Sequence, residues 1–193
     1  MKVTNPTGLV FAFSDRGDVQ SVEVGGIRVS LTSPSGSSRA HGNLYLRKRG
    51  RDTAYTPLIG AESPSRFQAT DGVFVARGSW SGLDYECVLE PAQAHPSWRW
   101  QVRVHSTLDH AVELDLVYVQ DIGLKASGPA LVNEYYASQY LERRVFEDPR
   151  YGSVVCCRQN MNEHGGHPWV MIACANRASS ASTDGVQLYG SLF

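Results

Sequence analysis

The stretch NEYYASQYLERRVFEDPRYGSVVCCRQN, residues 133–160, outlines how this chain folds. Residues 139–146 and 153–160 have the length and composition of β-strands, and they flank a turn at Glu147-Asp148-Pro149-Arg150. An antiparallel hairpin is therefore predicted here. Tyr, Gln, Asn and Arg are unusually dense for a solvated hairpin, yet the stretch contains no recognisable catalytic motif.

The same strand pattern continues outward in both directions. Almost every apolar run alternates with period two, and helical periodicity is nearly absent except at residues 131–138, where we predict a short helix. Residues 33–66 are rich in Ser, Gly, Pro and Arg, which predicts either a short strand at 44–48 or a functional loop. The other predicted strands are at residues 9–13, 19–24, 27–31, 73–80, 83–89, 169–175 and 186–189.

The clearest alternation lies in residues 98–118, which we interpret as two strands of one hairpin. Pairing Val104 with Leu114 brings apolar residues together and places Arg103 opposite Asp115. Exposed ion pairs of this kind stabilise by only about 0–1 kcal/mol, so they indicate register rather than stability.

Composition indicates one globular domain over residues 1–193. Hydrophobic residues make up 42% and charged residues 19% of 193 residues, and the net charge is -1. This is enough apolar material for a core, and no basic field would attract nucleic acid or an anionic membrane. The basic run at residues 47–51 is favoured as a solvated loop over a phosphate or partner contact.

Cysteine use and hydropathy indicate a cytoplasmic protein. None of the apolar runs approaches the roughly 18 residues of a membrane span, and residues 1–13 lack the apolar core of a secretory signal. The four cysteines, Cys87, Cys156, Cys157 and Cys174, form no CxxC motif. Small buried residues in a reducing compartment are favoured over disulfides or a zinc site.

Catalytic and metal-binding patterns are weak throughout the sequence. Glu163, His164 and His167 could supply zinc ligands, but their Gly-rich segment looks like a turn rather than a helix that would align them. No spacing fixes a pair of carboxylates across a cleft, and neither GxSxG nor a phosphate-binding glycine loop occurs. We therefore predict no catalytic residue, no metal and no cofactor.

Carbohydrate contact has better support. Sugars are held by aromatic faces and by planar amide, guanidinium and carboxylate groups, and one region supplies these groups. The alternative is that they are structural amides and core aromatics, which is the favoured interpretation for Trp98 and Trp100. The candidate carbohydrate or subunit contacts are Tyr135, Tyr136, Gln139, Tyr140, Arg158, Gln159, Asn160 and Trp169.

These residues lie in segments that resemble a known family, the inverting glycoside phosphorylases related to cellobiose phosphorylase (glycoside hydrolase family 94). The 1,2-β-oligoglucan phosphorylases are the most similar subgroup. The stretch at 133–160 is the specific one, and the N-terminal segments are looser. The other similar segments are TGLVFAF, GGIRVSL, NLYLRKRG, YTPLIGAESPSRF, VYVQDIGL and HPWVMIACANRASSASTDGVQLYG.

The resemblance implies an all-β, antiparallel super-β-sandwich of the galactose-mutarotase-like type. In the family an (α/α)6 barrel follows this domain and carries the general acid and the phosphate pocket, so no catalytic residue carries over to this chain. The implied partners are a β-glucooligosaccharide, the missing barrel and a second copy in a homodimer.

Three hypotheses follow. The first is a non-catalytic N-terminal domain of a β-glucan phosphorylase, and the apolar end at residues 190–193 suggests that the chain is part of something longer. The second is a free-standing carbohydrate-binding module. The third is an aldose epimerase, which needs a His acid and a carboxylate base in one cleft, and the sequence shows no such arrangement around His95 or His105.

Overall fold

A computed structural model describes residues 1–31, 42–50, 53–70, 72–126, 128 and 134–184 of the chain. Helix α1 spans Glu134–Gln139. The strands are β1 (Lys2–Thr4), β2 (Leu9–Phe13), β3 (Val19–Val24), β4 (Ile27–Arg28), β5 (Asn43–Lys48), β6 (Ala54–Pro57), β7 (Arg66–Thr70), β8 (Val73–Trp80), β9 (Leu83–Pro91), β10 (Trp98–Ser106), β11 (Leu114–Val119), β12 (Lys125–Ala126), β13 (Leu141–Asp148), β14 (Gly152–Gln159) and β15 (Trp169–Ile172).

The strands form antiparallel sheets around a shared core, which confirms the predicted all-β sandwich. A sandwich implies two packed layers, and the hydrogen bonding of the described residues divides the strands into four sheets. The N-terminal sheet has the order β1-β2-β3-β4-β12, and the central sheet has the order β10-β9-β8-β7. The short sheet is β11-β5-β6, and the C-terminal sheet is β13-β14-β15.

One hydrophobic cluster joins all four sheets. The ring of Phe13 in the N-terminal sheet stacks on Phe74 in the central sheet at 4.0 Å between centroids. Leu44 of the short sheet and Cys157 of the C-terminal sheet belong to the same buried cluster. Aromatic pairs of this kind add about 0.5–1.5 kcal/mol to the burial of their area, so Phe13 and Phe74 hold the two larger sheets together.

The two tryptophans of β10 belong to this core, as predicted. Trp98 meets Phe11 edge-on at 5.3 Å, and Trp100 meets Phe74 at 6.1 Å. Burial raises the pKa of the neighbouring Tyr118 to about 12, and its hydroxyl donates to Gln120 Oε1 at 2.6 Å. Tyr118 therefore remains a neutral phenol, which lets it pack beside the core.

Most predicted strands are present, and the β8–β9 hairpin shows why. Ser81 and Gly82 connect these strands with φ angles of 50° and 78°. Two successive left-handed residues form the type I′ turn that matches strand twist, and Gly is the residue that best tolerates it. The strands predicted at 9–13, 19–24 and 44–48 are also confirmed, whereas β4 and β15 are shorter than predicted.

Four strands were missed, and each lies at the edge of its sheet. These are β1, β6, β7 and β12. Edge strands are short and half exposed, so their sequences need not alternate in the way that central strands do. The predicted helix at 131–138 corresponds to α1 where it is described, and the predicted strand at 186–189 lies outside the described residues.

The hairpin predicted in residues 98–118 is wrong. β10 pairs with β9, and β11 pairs with β5. Asp115 accordingly accepts hydrogen bonds from Arg47 and Arg49, each at 2.9 Å from the guanidinium Nε, whereas Arg103 donates to Glu86 at 2.7 Å. Alternation correctly identified the faces of these strands, but it carries no information about which strand lies beside them.

The basic run at 47–51 also differs from its prediction as a solvated loop where it is described, and Arg51 lies outside the described residues. Arg47 and Lys48 form the end of β5. Burial alone would raise the pKa of Asp115, but hydrogen bonds from Arg47 and Arg49 outweigh it and lower that pKa. The run therefore secures the pairing of β5 with β11.

Within the described ranges, no helix has the length and apolar character needed to cross a membrane.

Candidate functional site

The C-terminal sheet carries most of the residues singled out by sequence, and a tight turn builds it. β13 continues through Asp148, so the turn comes later than the predicted 147–150 and leads through Pro149 to Tyr151. The Asp148 carboxylate accepts hydrogen bonds from the backbone N–H groups of Arg150, at 2.8 Å, and Tyr151, at 2.9 Å. These two hydrogen bonds close the turn, as Asp side chains commonly do.

Gly152 follows the turn, and its lack of a side chain is required. Its φ angle is 72°, and a Cβ at this position would lie 2.2 Å from the Ala178 carbonyl oxygen. The Ser153 N–H donates to the same carbonyl at 3.3 Å. The glycine thus allows the segment around Ala178 to pack against the start of β14.

The two faces of the C-terminal sheet differ in character. Leu141, Val155, Cys157 and Val170 point inward and pack in or against the core cluster. The register pairs of the opposite face are Glu142 with Arg158, Arg158 with Trp169, and Cys156 with Met171. We call this opposite side the outer face; it comprises Glu142, Arg144, Phe146, Val154, Cys156, Arg158, Trp169 and Met171.

The outer face exposes large side chains. Trp169 is 67% exposed, Met171 54% and Phe146 46%. Solitary exposed apolar residues are ordinary, but a cluster that includes Trp and Arg is typical of a contact surface. The Glu142 carboxylate accepts from Arg144 at 2.5 Å, so the carboxylate beside Arg158 is already engaged by another guanidinium.

Two tyrosines extend the outer face beside the first residue of β13. Tyr136 of α1 and Tyr140 meet edge-on at 5.0 Å, and both rings are exposed. A hydrogen bond with the Tyr136 phenol raises the pKa of Tyr140. The Asn160 N–H donates to the Tyr140 carbonyl at 2.9 Å, which places Tyr140 directly opposite Asn160.

Gln159 does not belong to this surface, contrary to its inclusion among the predicted contacts. It is fully buried, and its Nε2 donates to the carbonyls of Gly123 and Ala137, each at 3.1 Å. Its Oε1 accepts from the Met161 N–H at 3.1 Å. A buried amide with these bonds is structural, as the alternative interpretation proposed.

The remaining predicted contacts lie in two places, the C-terminal sheet with its neighbouring tyrosines and helix α1. Arg158, Asn160 and Trp169 are exposed in the C-terminal sheet and its continuation, with Tyr136 and Tyr140 beside them. Gln139 is exposed at the end of α1. Tyr135 lies in α1, and its side chain is outside the described part of the chain. The structure therefore brings together five of the eight predicted residues on one side.

A buried ion pair near this sheet was missed by the sequence analysis. Glu163 and Lys125 are hydrogen-bonded, with side chains 5% and 10% exposed, and the second carboxylate oxygen accepts from the Ala126 N–H at 3.0 Å. Burial alone would raise the pKa of Glu163, but Lys125 and the Ala126 N–H outweigh it and lower that pKa. The pair ties the N-terminal sheet to the loop before β15.

The same pair argues against the considered metal site. Both oxygens of Glu163 are engaged, while His164 and His167 are exposed on a loop. Among the described residues, no group of three or more His, Cys, Asp and Glu side chains could hold a metal ion. A sequence signal for the ion pair was absent because Lys125 and Glu163 lie far apart along the chain.

Comparison with known proteins gives this domain its relatives. The chain is 33% identical over 119 residues to a 1,2-beta-oligoglucan phosphorylase of Listeria innocua serovar 6a, an alignment that covers 57% of this chain and 10% of the relative. The chain thus spans only a small part of that enzyme. Residues 12–193 match the SOGP N-terminal domain. This match covers almost the whole chain, which therefore belongs to the SOGP N-terminal domain family.

Proposed function

We propose that this chain is the non-catalytic N-terminal, carbohydrate-associated domain of an inverting β-glucan phosphorylase of the 1,2-β-oligoglucan or cellobiose type. The observation that carries the proposal is the family match over residues 12–193, joined to a relative that is itself a 1,2-beta-oligoglucan phosphorylase. The aligned segment is a tenth of that relative, so the bulk of a phosphorylase lies in other sequence.

In this proposal the domain contributes to assembly and helps to shape the substrate cleft. The exposed Phe146 and Met171 of the outer face support a contact role, because aromatic residues and Met are enriched at interfaces. The catalytic barrel and a second copy of the chain are the proposed protein partners. The proposed compartment is the cytoplasm, and the proposed substrate of the whole enzyme is a β-glucooligosaccharide.

An activity assay combined with gene sequencing tests the proposal. The purified 193-residue chain is incubated with inorganic phosphate and β-1,2-glucooligosaccharides, and sugar 1-phosphate is measured, with the Listeria innocua relative as positive control. We expect product from the relative alone. Turnover by the isolated chain would overturn the non-catalytic assignment.

Sequencing of the source DNA beyond codon 193 tests the other half of the proposal. We expect an in-frame continuation that encodes a helical barrel. A stop codon directly after codon 193 would contradict the role as a domain of a phosphorylase. It would favour the second candidate, a free-standing carbohydrate-binding module, for which the exposed Trp169 beside Arg158 is the specific observation.

The aldose epimerase is disfavoured by the placement of its candidate acids. His95 precedes β10 and His105 lies near the end of that strand, and both are exposed. Among the described residues neither histidine forms an ion pair with a carboxylate, and Asp84, which lies opposite His105 in the register, accepts a hydrogen bond from the Ser79 hydroxyl instead. A polarimetric assay is expected to show mutarotation at the background rate.

A further inference from the structure

We propose that the side of the C-terminal sheet formed by Arg158, Asn160 and Trp169, with Tyr140 at its edge, binds a β-linked glucooligosaccharide directly. We call these four residues the platform. This inference rests on the proposed function, because it names a ligand contact within a domain of a β-glucan phosphorylase. It assigns that contact to residues of the domain itself.

The register of the C-terminal sheet gives the platform its shape. Glu142, Arg158 and Trp169 form one row across β13, β14 and β15. Adjacent strands lie about 4.8 Å apart, so the row is about 10 Å wide, comparable with a disaccharide. Asn160 directly follows β14, two residues after Arg158 and opposite Tyr140. The row therefore presents an exposed aromatic ring and a guanidinium group on one side of the sheet.

The polar groups of the platform are available to a ligand. Glu142 is paired with Arg144, and among the described residues no carboxylate pairs with Arg158. Among the residues that the structure describes, neither the Asn160 amide nor the Trp169 indole N–H has a hydrogen-bond partner. Arg158 and the indole N–H supply donors, and the Asn160 amide supplies both a donor and an acceptor. Sugar hydroxyls can bond with all of these groups.

Gln159 provides an internal contrast. It lies between Arg158 and Asn160, yet its amide is buried and makes three hydrogen bonds within the protein. The alternation of β14 thus separates a structural amide from two exposed polar groups. Arg158 lies opposite Trp169 in the register, and the face of that ring suits the C–H surface of a pyranose, since buried area and weak C–H contacts favour such stacking.

The charge of the row favours a neutral ligand over an anionic one. Glu142 and Arg144 neutralise each other at 2.5 Å, which leaves Arg158 as the single uncompensated charge of the row. A strongly anionic ligand would require several convergent cations. The apolar end of the outer face, with Phe146 and Met171, lies farther along the strands and suits a protein contact better; it is left out of the platform.

Titration of the 193-residue chain with β-1,2-glucooligosaccharides, followed by calorimetry and tryptophan fluorescence, tests the inference. Trp80, Trp98 and Trp100 pack against the core, whereas Trp169 is 67% exposed, so a ligand on the platform should change the emission of Trp169. We expect Trp169→Ala and Arg158→Ala each to weaken binding about tenfold or more, as the loss of an aromatic or Arg anchor does.

Leu116→Ala is the matched control. Leu116 is 51% exposed but lies on β11 in the short sheet, so its substitution removes exposed apolar area away from the platform. The Leu116→Ala variant should bind the oligosaccharide with the same affinity as the unaltered chain. Thermal unfolding of all three variants should match the parent, since exposed substitutions usually change stability by less than about 0.5 kcal/mol.

Two results would overturn the inference. One is the absence of heat and fluorescence change with millimolar β-1,2- and β-1,4-glucooligosaccharides. The other is binding that Trp169→Ala leaves unaltered. Self-association in sedimentation that Trp169→Ala weakens, with no sugar binding, would assign the face to a protein contact instead. These outcomes leave the phosphorylase-domain proposal standing, because that proposal depends on the downstream gene and the phosphorolysis assay.

Discussion

At the scale of single residues, β14 shows that residue type alone does not predict which side chains are exposed. Arg158, Gln159 and Asn160 are all residue types that hold sugars, so composition predicts the same role for all three. The structure exposes the first and third, and it buries Gln159 against the carbonyls of Gly123 and Ala137. Period-two alternation could have separated them, since neighbours on a strand face opposite sides.

Glu163 carries the first stability prediction. Glu163→Gln leaves the Lys125 ammonium buried without its counter-charge, so we expect a loss of about 3–5 kcal/mol in the free energy of unfolding at pH 7. Urea denaturation measures this loss. The control is Asp109→Asn, because the Asp109 side chain is 98% exposed and should matter little. A loss below about 1 kcal/mol would show that water reaches the pair.

The pH dependence of this contribution follows from the lowered pKa of Glu163. A carboxyl whose pKa is lower in the folded state contributes its full stabilisation above its unfolded pKa, which is about 4.3 for Glu. The stabilisation disappears as pH falls below that value and through the folded pKa. The difference in unfolding free energy between the parent chain and Glu163→Gln should therefore shrink only in the acid range, below about pH 4.

At the scale of elements, the β13–β14 hairpin depends on one backbone conformation. Gly152→Ala should destabilise the protein by more than about 2 kcal/mol, because it adds a steric clash with the Ala178 carbonyl to the cost of a left-handed φ. Gly165→Ala is a matched control: its φ is 84°, and nothing lies within 4 Å of a Cβ there. Thermal unfolding compares the two, and equal losses would contradict the proposed clash.

Pairing between elements was the weakest part of the sequence-based interpretation. Val104 and Leu114 were matched because their strands are consecutive and both alternate. Consecutive strands usually neighbour each other, but β10 and β11 belong to different sheets. Asp115 finds its partners in Arg47 on β5 and Arg49 just after it, far earlier in the chain, and such contacts leave no trace in local pattern.

At the scale of the whole molecule, the shared core predicts how the thiols react. Burial raises the pKa of Cys87 to about 12 and also raises that of Cys157, whereas Cys174 is exposed. The thiolate is the reactive form, so iodoacetamide at pH 8 should modify Cys174 quickly in the native state. Cys87 should be modified only at the rate of global unfolding.

Peptide mapping by mass spectrometry at several times measures these rates. Urea-unfolded protein is the control, in which all four cysteines should react together. Modification of Cys87 in the native state as fast as that of Cys174 would contradict a single cooperative core. It would indicate that the central sheet opens independently of the others.

The sequence by itself determined the all-β class, the strands at 9–13, 44–48 and 73–80, and the family resemblance. It could do so because the burial of one side of a strand imposes period two locally, and because turn residues such as Ser81-Gly82 act over a few positions. Tertiary structure alone decided the sheet partners, the Lys125–Glu163 pair and the burial of Gln159. Each of these depends on contacts between residues distant in sequence, whose free energy appears only when the chain is packed.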